Sequence, residues 1–503
     1  MVFASHSFLG FLLVVLLAYW FAGRHDERLG KPLLIIASFV FYGFWIPAYL
    51  ILLIVSILFN HAIARTLMTA PAGHTRRALT ALGIGLNLAL IGFYKYAAFL
   101  VESMNWAMQT GFDVPDIILP IGISFFTFQQ ISLLVDAHKG RVAELRFWDH
   151  VLFIAFFPQL IAGPIVRQHD MLPQLAARRD WRLRADYVAI GLALFAFGLF
   201  KKTALIDPFV PYLDMIYDAA AAGDPVGFVD GWVAGIGYGF QVYFDFSAYS
   251  DMAIGLGFMF GLRLPVNFFS PYKADSIRAF WRRWHISLSR FLRDYLFIPL
   301  GGSHHGLTRT IAALIVTMGL GGLWHGAGWT FVIWGLLHGV YLSINHLWRA
   351  LLARLRPATT ATPRKPGLVA WILKMLSIVL TFLAVSFAWV FFRATDFDAA
   401  MRLASAMLGF GGWHEVASLT SGIVTMFPVY LVTVWLLPNT MEMFQATKAA
   451  LHVDEYRDDS IRPLRPDWLR FKLSAGWAIS SAVVFVVAWF TMSNLSPFIY
   501  FQF

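Results

Sequence analysis

A histidine stands near the middle of a long stretch of this chain that carries no Asp, Glu, Lys or Arg. His325 lies in GLGGLWHGAGWTF (319–331), inside a charge-free run over 310–348. Neutral imidazole can take a proton from a hydroxyl group near physiological pH, since its ordinary pKa is about 6.5. The glycines allow close backbone approach, and Trp324 and Trp329 can wall a pocket. The alternative is that His325 is a structural residue, hydrogen-bonded between two helices. The glycines on both sides of it favour a functional role.

A second group of candidate residues lies in DSIRAFWRRWHISLSRFLRDYLFIPLGG (275–302). The spacing predicts one amphipathic helix over about 276–298 at the cytoplasmic interface, with an aromatic stripe and with His285 on its border. A neighbouring face of this helix carries Arg278, Arg282 and Arg293. These arginines can anchor the helix to anionic lipid head groups, or they can form a cationic rim for a phosphate-bearing substrate from the cytosol.

Two carboxylates interrupt the apolar segment FDFSAYSDMAIGLG (244–257), at Asp245 and Asp251. Intramembrane carboxylates are costly and are candidates for function by default. They can equally hold the fold together as partners of a buried cation. Lys95 in FYKYAAF raises the same question.

The composition indicates a membrane protein. Hydrophobic residues make up 59% of the 503 residues and charged residues only 14%, with a mean hydropathy of +0.65. A soluble domain carries about 25% charged residues. Lys and Arg outnumber Asp and Glu by 39 to 29, which agrees with cationic cytoplasmic loops. Because no soluble basic domain is visible, a nucleic-acid-binding protein is not expected.

Several kinds of chemistry are excluded or disfavoured by what the sequence lacks. The chain has no cysteine, so disulfides, thiolate metal sites and an acyl group carried on its own thiol are excluded. The patterns GxxxxGK[ST], GxSxG and HExxH are absent. His304 and His305 have no partners at metal-ligand spacing. We therefore expect no metal, and chemistry that depends on histidine.

Long apolar runs predict the elements that must position these residues. A membrane-spanning helix needs roughly 20 apolar residues, and such runs lie at about 7–22, 33–66, 79–101, 117–136, 147–166, 187–206, 231–260, 310–348, 369–392, 417–437 and 473–492. WIPAY (45–49) divides the run at 33–66 into two helices. The run at 310–348 would extend about 58 Å as one helix, nearly twice the membrane thickness, so we expect it to bend at the glycines near His325.

Loop charges predict the orientation of the chain. Segments 102–116 and 207–230 carry acids and no Lys or Arg, which indicates the extracytoplasmic side, whereas 261–309 and 349–368 are rich in Arg. Both flanks of 310–348 are then cytoplasmic, so this run is predicted to enter the membrane and return. The sequence predicts one all-α, multi-pass membrane domain over 1–503.

Six motifs in order resemble the membrane-bound O-acyltransferase (MBOAT) family, and within it the bacterial members of the alginate O-acetyltransferase type. The motifs are LPIGISFFTFQQISLLVD (119–136), FFPQLIAGPIVR (156–167), DFSAYSDMAIG (245–255), LPVNFFSPYKADSIRAFWRRWHISLSRFLRDYLFIPLGG (264–302), GLWHGAGWTFVIWGLLHG (322–339) and FIYFQF (498–503). The resemblance implies a helix bundle with re-entrant segments around a central funnel. It matches His325 to the family's catalytic histidine and His285 to the second polar position. Asn267, within the fourth motif, joins Asp245 as a candidate substrate-binding residue.

The resemblance also implies a function. Acetyl from a cytosolic donor, taken to be acetyl-CoA, would cross the bacterial inner membrane to a periplasmic O-acetyltransferase partner and then to an exported polysaccharide such as alginate. Membrane lipids would be further partners, and no bound cofactor is expected. Both general-base catalysis by His325 and an acetyl-histidine intermediate fit the motif. Transfer of D-alanyl or another acyl group is an alternative function, and a non-catalytic acyl transporter or scaffold is another.

Overall fold

The computed structural model describes residues 1–177, 181–355, 367–413, 421–456, 467–492 and 498. Within these residues there are helices and no strand, apart from one isolated bridge between Pro265 and Leu451. The prediction of an all-α protein is therefore confirmed. The predicted linker at 357–367 and the closing motif at 498–503 lie outside the described residues, except for Gly367 and Phe498.

Twenty-one α-helices form the described part of the chain. The N-terminal helices are α1 (His6–His25), α2 (Gly30–Gly43), α3 (Pro47–Thr69), α4 (His74–Ile91), α5 (Ala97–Met108), α6 (Ile123–His138), α7 (Phe147–Ala155), α8 (Phe157–Leu160) and α9 (Gln168–Ala176). The central helices are α10 (Ala185–Phe200), α11 (Val210–Ala222), α12 (Phe228–Met259), α13 (Ile277–Trp281), α14 (Ile286–Leu292), α15 (Leu307–His325) and α16 (Trp329–Leu355). The C-terminal helices are α17 (Leu368–Arg393), α18 (Phe397–Met407), α19 (Ser421–Trp435), α20 (Thr440–Met443) and α21 (Ala475–Phe490). Three π-helical segments extend or join them: Gly92–Tyr96, Lys201–Ile206 and Arg293–Phe297.

Six helical stretches of the described residues are long and apolar enough to cross a membrane. They are His6–His25, Pro47–Thr69, His74–Met108, Ala185–Ala222, Leu307–His325 and Leu368–Arg393. This protein is therefore a multi-pass membrane protein, as its composition indicated. The predicted division of 33–66 is confirmed, since α2 ends at Gly43 and α3 begins at Pro47.

The apolar run at 147–166 does not form the predicted membrane-spanning helix. It contains the short helices α7 and α8, which are followed by non-helical backbone. Pro158 lies in the first turn of α8, and Gly163 packs so closely that a Cβ atom there would lie 2.5 Å from the Cα of Gln159. Every residue from 150 to 166 is buried. Irregular backbone is tolerated at membrane depth where protein surrounds it.

The predicted continuous helix over 276–298 is also wrong. Ser276 does cap its start by accepting a hydrogen bond from the backbone N–H of Ala279, but α13 ends at Trp281. The chain then turns through His285, whose φ of 38° and ψ of 57° are left-handed, and α14 begins at Ile286. The buried amide of Asn267, far away in sequence, binds the start of α14 and stabilises this break. The helical periodicity of the segment does not reveal this contact with Asn267.

The charge-free run forms a helical hairpin. The arm α15 ends at His325, residues 326–328 turn, and α16 returns alongside. At 1.5 Å per residue the 19 residues of α15 extend about 28 Å, enough to carry His325 deep into a bilayer. The two arms touch through glycine: a Cβ atom on Gly322 would lie 2.1 Å from the carbonyl oxygen of Phe331, and one on Gly335 would lie 2.2 Å from that of Met318.

The long helix α12 forms the centre of the molecule. Every residue from Gly237 to Met259 is buried, and the helix packs along α10 and α17. Two of its carboxylates, Asp245 and Asp251, bind cations from the π-helical segment after α10. The Nζ atom of Lys202 lies 2.7 Å from Asp245 and 2.8 Å from Asp207, while Lys201 binds Asp251 at 2.5 Å. These ion pairs tie α10 to α12 because a buried charge is tolerated only with a partner.

Candidate active site

The backbone of His325 is held by two side chains from the segment that joins α4 to α5. The ammonium group of Lys95 donates hydrogen bonds to the carbonyl oxygens of Trp324 (2.5 Å) and His325 (3.1 Å). The hydroxyl of Tyr96 donates to the carbonyl of Leu323 at 3.0 Å. The last carbonyls of a helix have no intrahelical partner, and a cation there also interacts favourably with the helix dipole. The end of α15 is thus fixed at the residue that bears the imidazole.

Aromatic rings enclose the imidazole of His325, which is 3% exposed. Its ring centroid lies 4.9 Å from that of Trp324, 5.1 Å from Trp334 and 5.2 Å from Phe392. The ring of His285 is 6.3 Å away in an edge-on arrangement. The two imidazoles are therefore neighbours in the buried part of the site.

The imidazole of His285 is oriented by Asn267. The Oδ1 atom of Asn267 accepts hydrogen bonds from the backbone N–H (3.3 Å) and the hydroxyl (2.8 Å) of Ser287, and its Nδ2 group donates to Ser250 at 3.2 Å. A backbone N–H is always a donor, so the amide orientation is settled. The Nδ1 atom of His285, 3.2 Å from the same Oδ1, must then carry a proton. A neutral ring in this tautomer has its lone pair on Nε2.

His325 lies at the wall of a cavity of about 130 Å³, here called the outer cavity. Its lining residues are Trp45, Lys95, residues 119–125, Ile161, Trp324 and His325. Trp45 lies in the turn between α2 and α3, and 119–122 directly follow the acidic segment 102–116. The loop charges predict that this is the extracytoplasmic side of the molecule.

The predicted arginines surround a second cavity, of about 560 Å³, here called the arginine cavity. Arg278, Arg282 and Arg293 line it together with Arg290, which sequence analysis did not single out. Its inner end is formed by apolar and polar side chains of α13 to α15, namely Trp281, Ile286, Leu292, Thr317 and Met318. The arginines thus face one space although the predicted helix is broken. His325 is not among the residues that line it.

A short segment, residues 452–456, covers part of the arginine cavity. Arg290 donates hydrogen bonds to the carboxylate of Glu455 (2.5 Å) and the hydroxyl of Tyr456 (2.8 Å). His452 binds Glu455 and also Asp170 of α9, each at 2.8 Å. The hydrogen bond to Asp170 raises the pKa of His452 above its ordinary value. One arginine of the rim is therefore already bound to a carboxylate of this chain.

Three of the predicted substrate-binding residues line neither cavity. Trp329 is 57% exposed and its ring contacts Phe99. Asp245 is bound to Lys202. Asn267 is fully buried and its amide is used by its neighbours on α12 and α14. By contrast, Trp324 lines the outer cavity as predicted.

Another histidine near the site, His338, was not predicted. It lies in the same charge-free run as His325, and the only sequence signal was a second histidine followed by glycine, in GLLHG. Its ring is fully buried, 4.8 Å from Trp334 and 5.2 Å from Trp281. Among the described residues, no group of three or more His, Asp or Glu side chains is arranged to hold a metal ion.

Comparison with known proteins places the chain in a family. Residues 123–391 match the membrane-bound O-acyltransferase (MBOAT) family. The chain is 38% identical to the probable alginate O-acetylase AlgI of Pseudomonas aeruginosa over the whole length of both. It is 40% identical to the peptidoglycan O-acetyltransferase of Helicobacter pylori, over 80% of this chain and 78% of that protein. A teichoic acid D-alanyltransferase of Streptococcus thermophilus is 28% identical over 54% of this chain and 68% of that protein.

The chain therefore belongs to the membrane-bound O-acyltransferase family. It is an O-acyltransferase embedded in a membrane by several helices, and the family resemblance noted in the sequence is confirmed.

Proposed function

We propose that this enzyme takes acetyl from a cytosolic thioester donor, acetyl-CoA, and passes it across the bacterial inner membrane for O-acetylation of an exported polysaccharide such as alginate. The observation that carries the proposal is the position of His325, which lines the outer cavity and is separated from the arginine cavity by the rings of Trp334 and Trp281. The loop charges predict that the arginine cavity opens to the cytosol and the outer cavity to the opposite side. The names of the relatives, an alginate O-acetylase and a peptidoglycan O-acetyltransferase, support transfer to an envelope polymer.

In the proposed reaction His325 is the general base. It takes the proton of the acceptor hydroxyl, and the hydroxyl oxygen attacks the thioester carbonyl carbon. The C–S bond breaks, and the imidazolium returns its proton to the leaving thiolate. Such proton transfer contributes typically about 10²–10⁴-fold to the rate. His285, held by Asn267, polarises or orients the thioester. An acetyl-histidine intermediate on the same ring is the alternative route.

The donor enters from the arginine cavity. Phosphate groups bind arginine through paired, charge-assisted hydrogen bonds, and the three predicted arginines face one space. The acetyl acceptor approaches through the outer cavity. We assign this acceptor role to a periplasmic O-acetyltransferase, which then acetylates the polymer. Membrane lipids surround the bundle, and no cofactor is required by this chemistry.

The direct test uses membranes that contain the full-length protein and acetyl-CoA labelled in its acetyl group. The wild type should transfer label to polymer or partner protein, whereas His325→Ala should lose transfer at least 100-fold while remaining folded. His346→Ala is the matched control, because His346 lies on α16 in the same charge-free run but lines neither cavity. Wild-type transfer by His325→Ala would remove the catalytic role.

Two other outcomes separate the alternatives. Transfer of labelled D-alanine but not acetyl would favour the chemistry named for the Streptococcus thermophilus relative. Label that crosses the membrane equally with and without His325 would indicate a transporter or scaffold.

The arginine rim makes a separate prediction. Replacing both Arg278 and Arg282 with Gln should raise the KM for acetyl-CoA roughly tenfold, as loss of about 1.4 kcal/mol of charge-assisted binding requires, with a smaller effect at high salt. The kcat should change little. Arg354→Gln, at the exposed end of α16, is the control. An unchanged KM would mean that these arginines meet lipid head groups instead.

A further inference from the structure

The arginine cavity and His325 are separated by a thin aromatic wall. Trp281 lines the cavity, and its ring centroid is 5.8 Å from that of Trp334. Trp334 is in turn 5.1 Å from His325. Only two layers of rings therefore lie between the cavity and the imidazole. A donor bound by the arginines does not reach His325 in this conformation, although the path is short.

A hydrogen bond inside the wall fixes the tautomer of His338. The indole N–H of Trp281 donates to the Nδ1 atom of His338 at 3.2 Å. Indole nitrogen is a donor only, so Nδ1 carries no proton. The neutral ring of His338 must then carry its proton on Nε2, which makes Nε2 a donor.

Two donors in the wall have no acceptor. Neither the Nε2 group of His338 nor the Nε1 group of Trp334 forms a hydrogen bond in the part of the chain that the structure describes. Both side chains are at most 1% exposed. A buried donor without an acceptor costs about 1–3 kcal/mol, and such groups are rare unless something else binds them.

We propose that the acyl-bearing arm of the donor passes between Trp281, Trp334 and His338, and that His338 and Trp334 donate hydrogen bonds to its carbonyl groups. The ligand class is a thioester arm with amide carbonyls, as in coenzyme A. This inference rests on the proposed function, because it requires a donor on the cytosolic side. Trp281 is the last residue of α13, beside the non-helical turn at 282–285, so its ring can move away and release the Nδ1 atom of His338.

The first test measures the passage without any enzymatic activity. Because the chain has no cysteine, His325→Cys introduces a single thiol behind the wall. In inverted membrane vesicles, a membrane-impermeant thiol reagent should label this cysteine slowly. Adding Trp281→Ala should increase the labelling rate at least tenfold. Trp348→Ala, which removes an exposed indole from α16, is the matched control and should leave the rate unchanged.

Labelling that Trp281→Ala does not accelerate would overturn the passage, even if the enzyme with His325 intact transfers acetyl at the full rate. Faster labelling in a protein that does not use acetyl-CoA would support the passage and reject only the proposed donor. The two hypotheses therefore fail separately.

The second test concerns the donor on His338. His338→Phe keeps an aromatic ring but has no N–H group, and we expect it to lower acetyl transfer at least tenfold. His338→Gln, which keeps a donor and an acceptor, should recover part of the rate. If His338 is purely structural, His338→Phe should lower the unfolding temperature and leave the transfer rate of the folded fraction unchanged. That result would overturn the role of His338 in binding. His346→Phe on the same helix is the control.

Discussion

The three histidines of the site have different surroundings, and each surrounding fixes a different property. His285 adopts a left-handed backbone conformation, and Asn267 holds its Nδ1–H tautomer. His338 has the opposite tautomer because Trp281 donates to its Nδ1 atom. His325 ends a helix and lies at the wall of the outer cavity. Proximity of three imidazoles does not make them equivalent, and only His325 lines a cavity from which an acceptor can arrive.

At the residue scale, Lys95 should control the position of His325. Lys95→Met removes both hydrogen bonds to the end of α15, and misplacement of a catalytic group lowers the rate more than it lowers binding. We expect kcat to fall about tenfold or more, with KM for acetyl-CoA nearly unchanged, and Lys95→Arg to recover part of the loss. Steady-state kinetics in membranes measures this.

Tyr96→Phe provides the comparison for Lys95. It removes a hydrogen bond from the same helix end, but at Leu323, two residues before His325. Its effect on kcat should be smaller. A Lys95→Met enzyme with the kcat of the wild type would show that the helix end is held by its packing alone.

The helical hairpin of α15 and α16 is the element that positions His325. Its arms approach closely because Gly322 and Gly335 have no side chain at the crossing. Small residues at helix contacts let backbones pack tightly inside a membrane, where apolar surface by itself provides no driving force. Gly326, the first residue of the turn, is buried against Phe331 of the returning arm, since a Cβ atom on Gly326 would lie 2.2 Å from that ring.

At the element scale, Gly322→Ala should separate the two arms. The added Cβ would meet backbone rather than a flexible side chain, so the hairpin must shift, at a cost of about 1–3 kcal/mol. We expect a lower unfolding temperature in detergent and loss of acetyl transfer. Gly85→Ala on the exposed face of α4 is the control, because nothing lies within 4 Å of its Cβ position. It should leave stability equal or slightly higher. Equal stability in both variants would contradict the close crossing.

Across the whole molecule, long-range polar contacts hold together parts that apolar packing does not orient. The pairs of Lys201 and Lys202 with carboxylates of α12 join two central helices. Beside the arginine cavity, His452 links the segment 452–456 to α9, and Arg290 links the same segment to α14. The opening of the arginine cavity thus depends on three distant parts of the chain.

The stabilisation by His452 should depend on pH. The pKa of His452 is raised in the folded protein. Its contribution to the free energy of unfolding is therefore complete below the unfolded pKa of about 6.5, and it is lost as the pH rises through the higher folded pKa. The charged groups that face it are Asp170, Glu455 and Arg290. His452→Gln should lower the unfolding temperature by roughly 1–3 °C at pH 5.5, which corresponds to about 1 kcal/mol of lost stability. The decrease should be smaller at pH 8.5.

A thermal shift series in detergent measures this dependence. Replacing His346, which lies outside this cluster, provides the control under the same conditions. A difference between wild type and His452→Gln that grows with rising pH would contradict the assigned proton on His452.

The sequence by itself determined the class of the protein, the bend in the charge-free run and the presence of His325 at that bend. These follow from composition, run length and glycine placement, which are local properties of the chain. The broken helix at His285, the role of Asn267 and the wall between the arginine cavity and His325 required the tertiary structure. The physical reason is that these features depend on contacts between residues distant in sequence: Asn267 with Ser287, and Trp281 with His338. Periodicity along one segment carries no information about a hydrogen bond supplied by another.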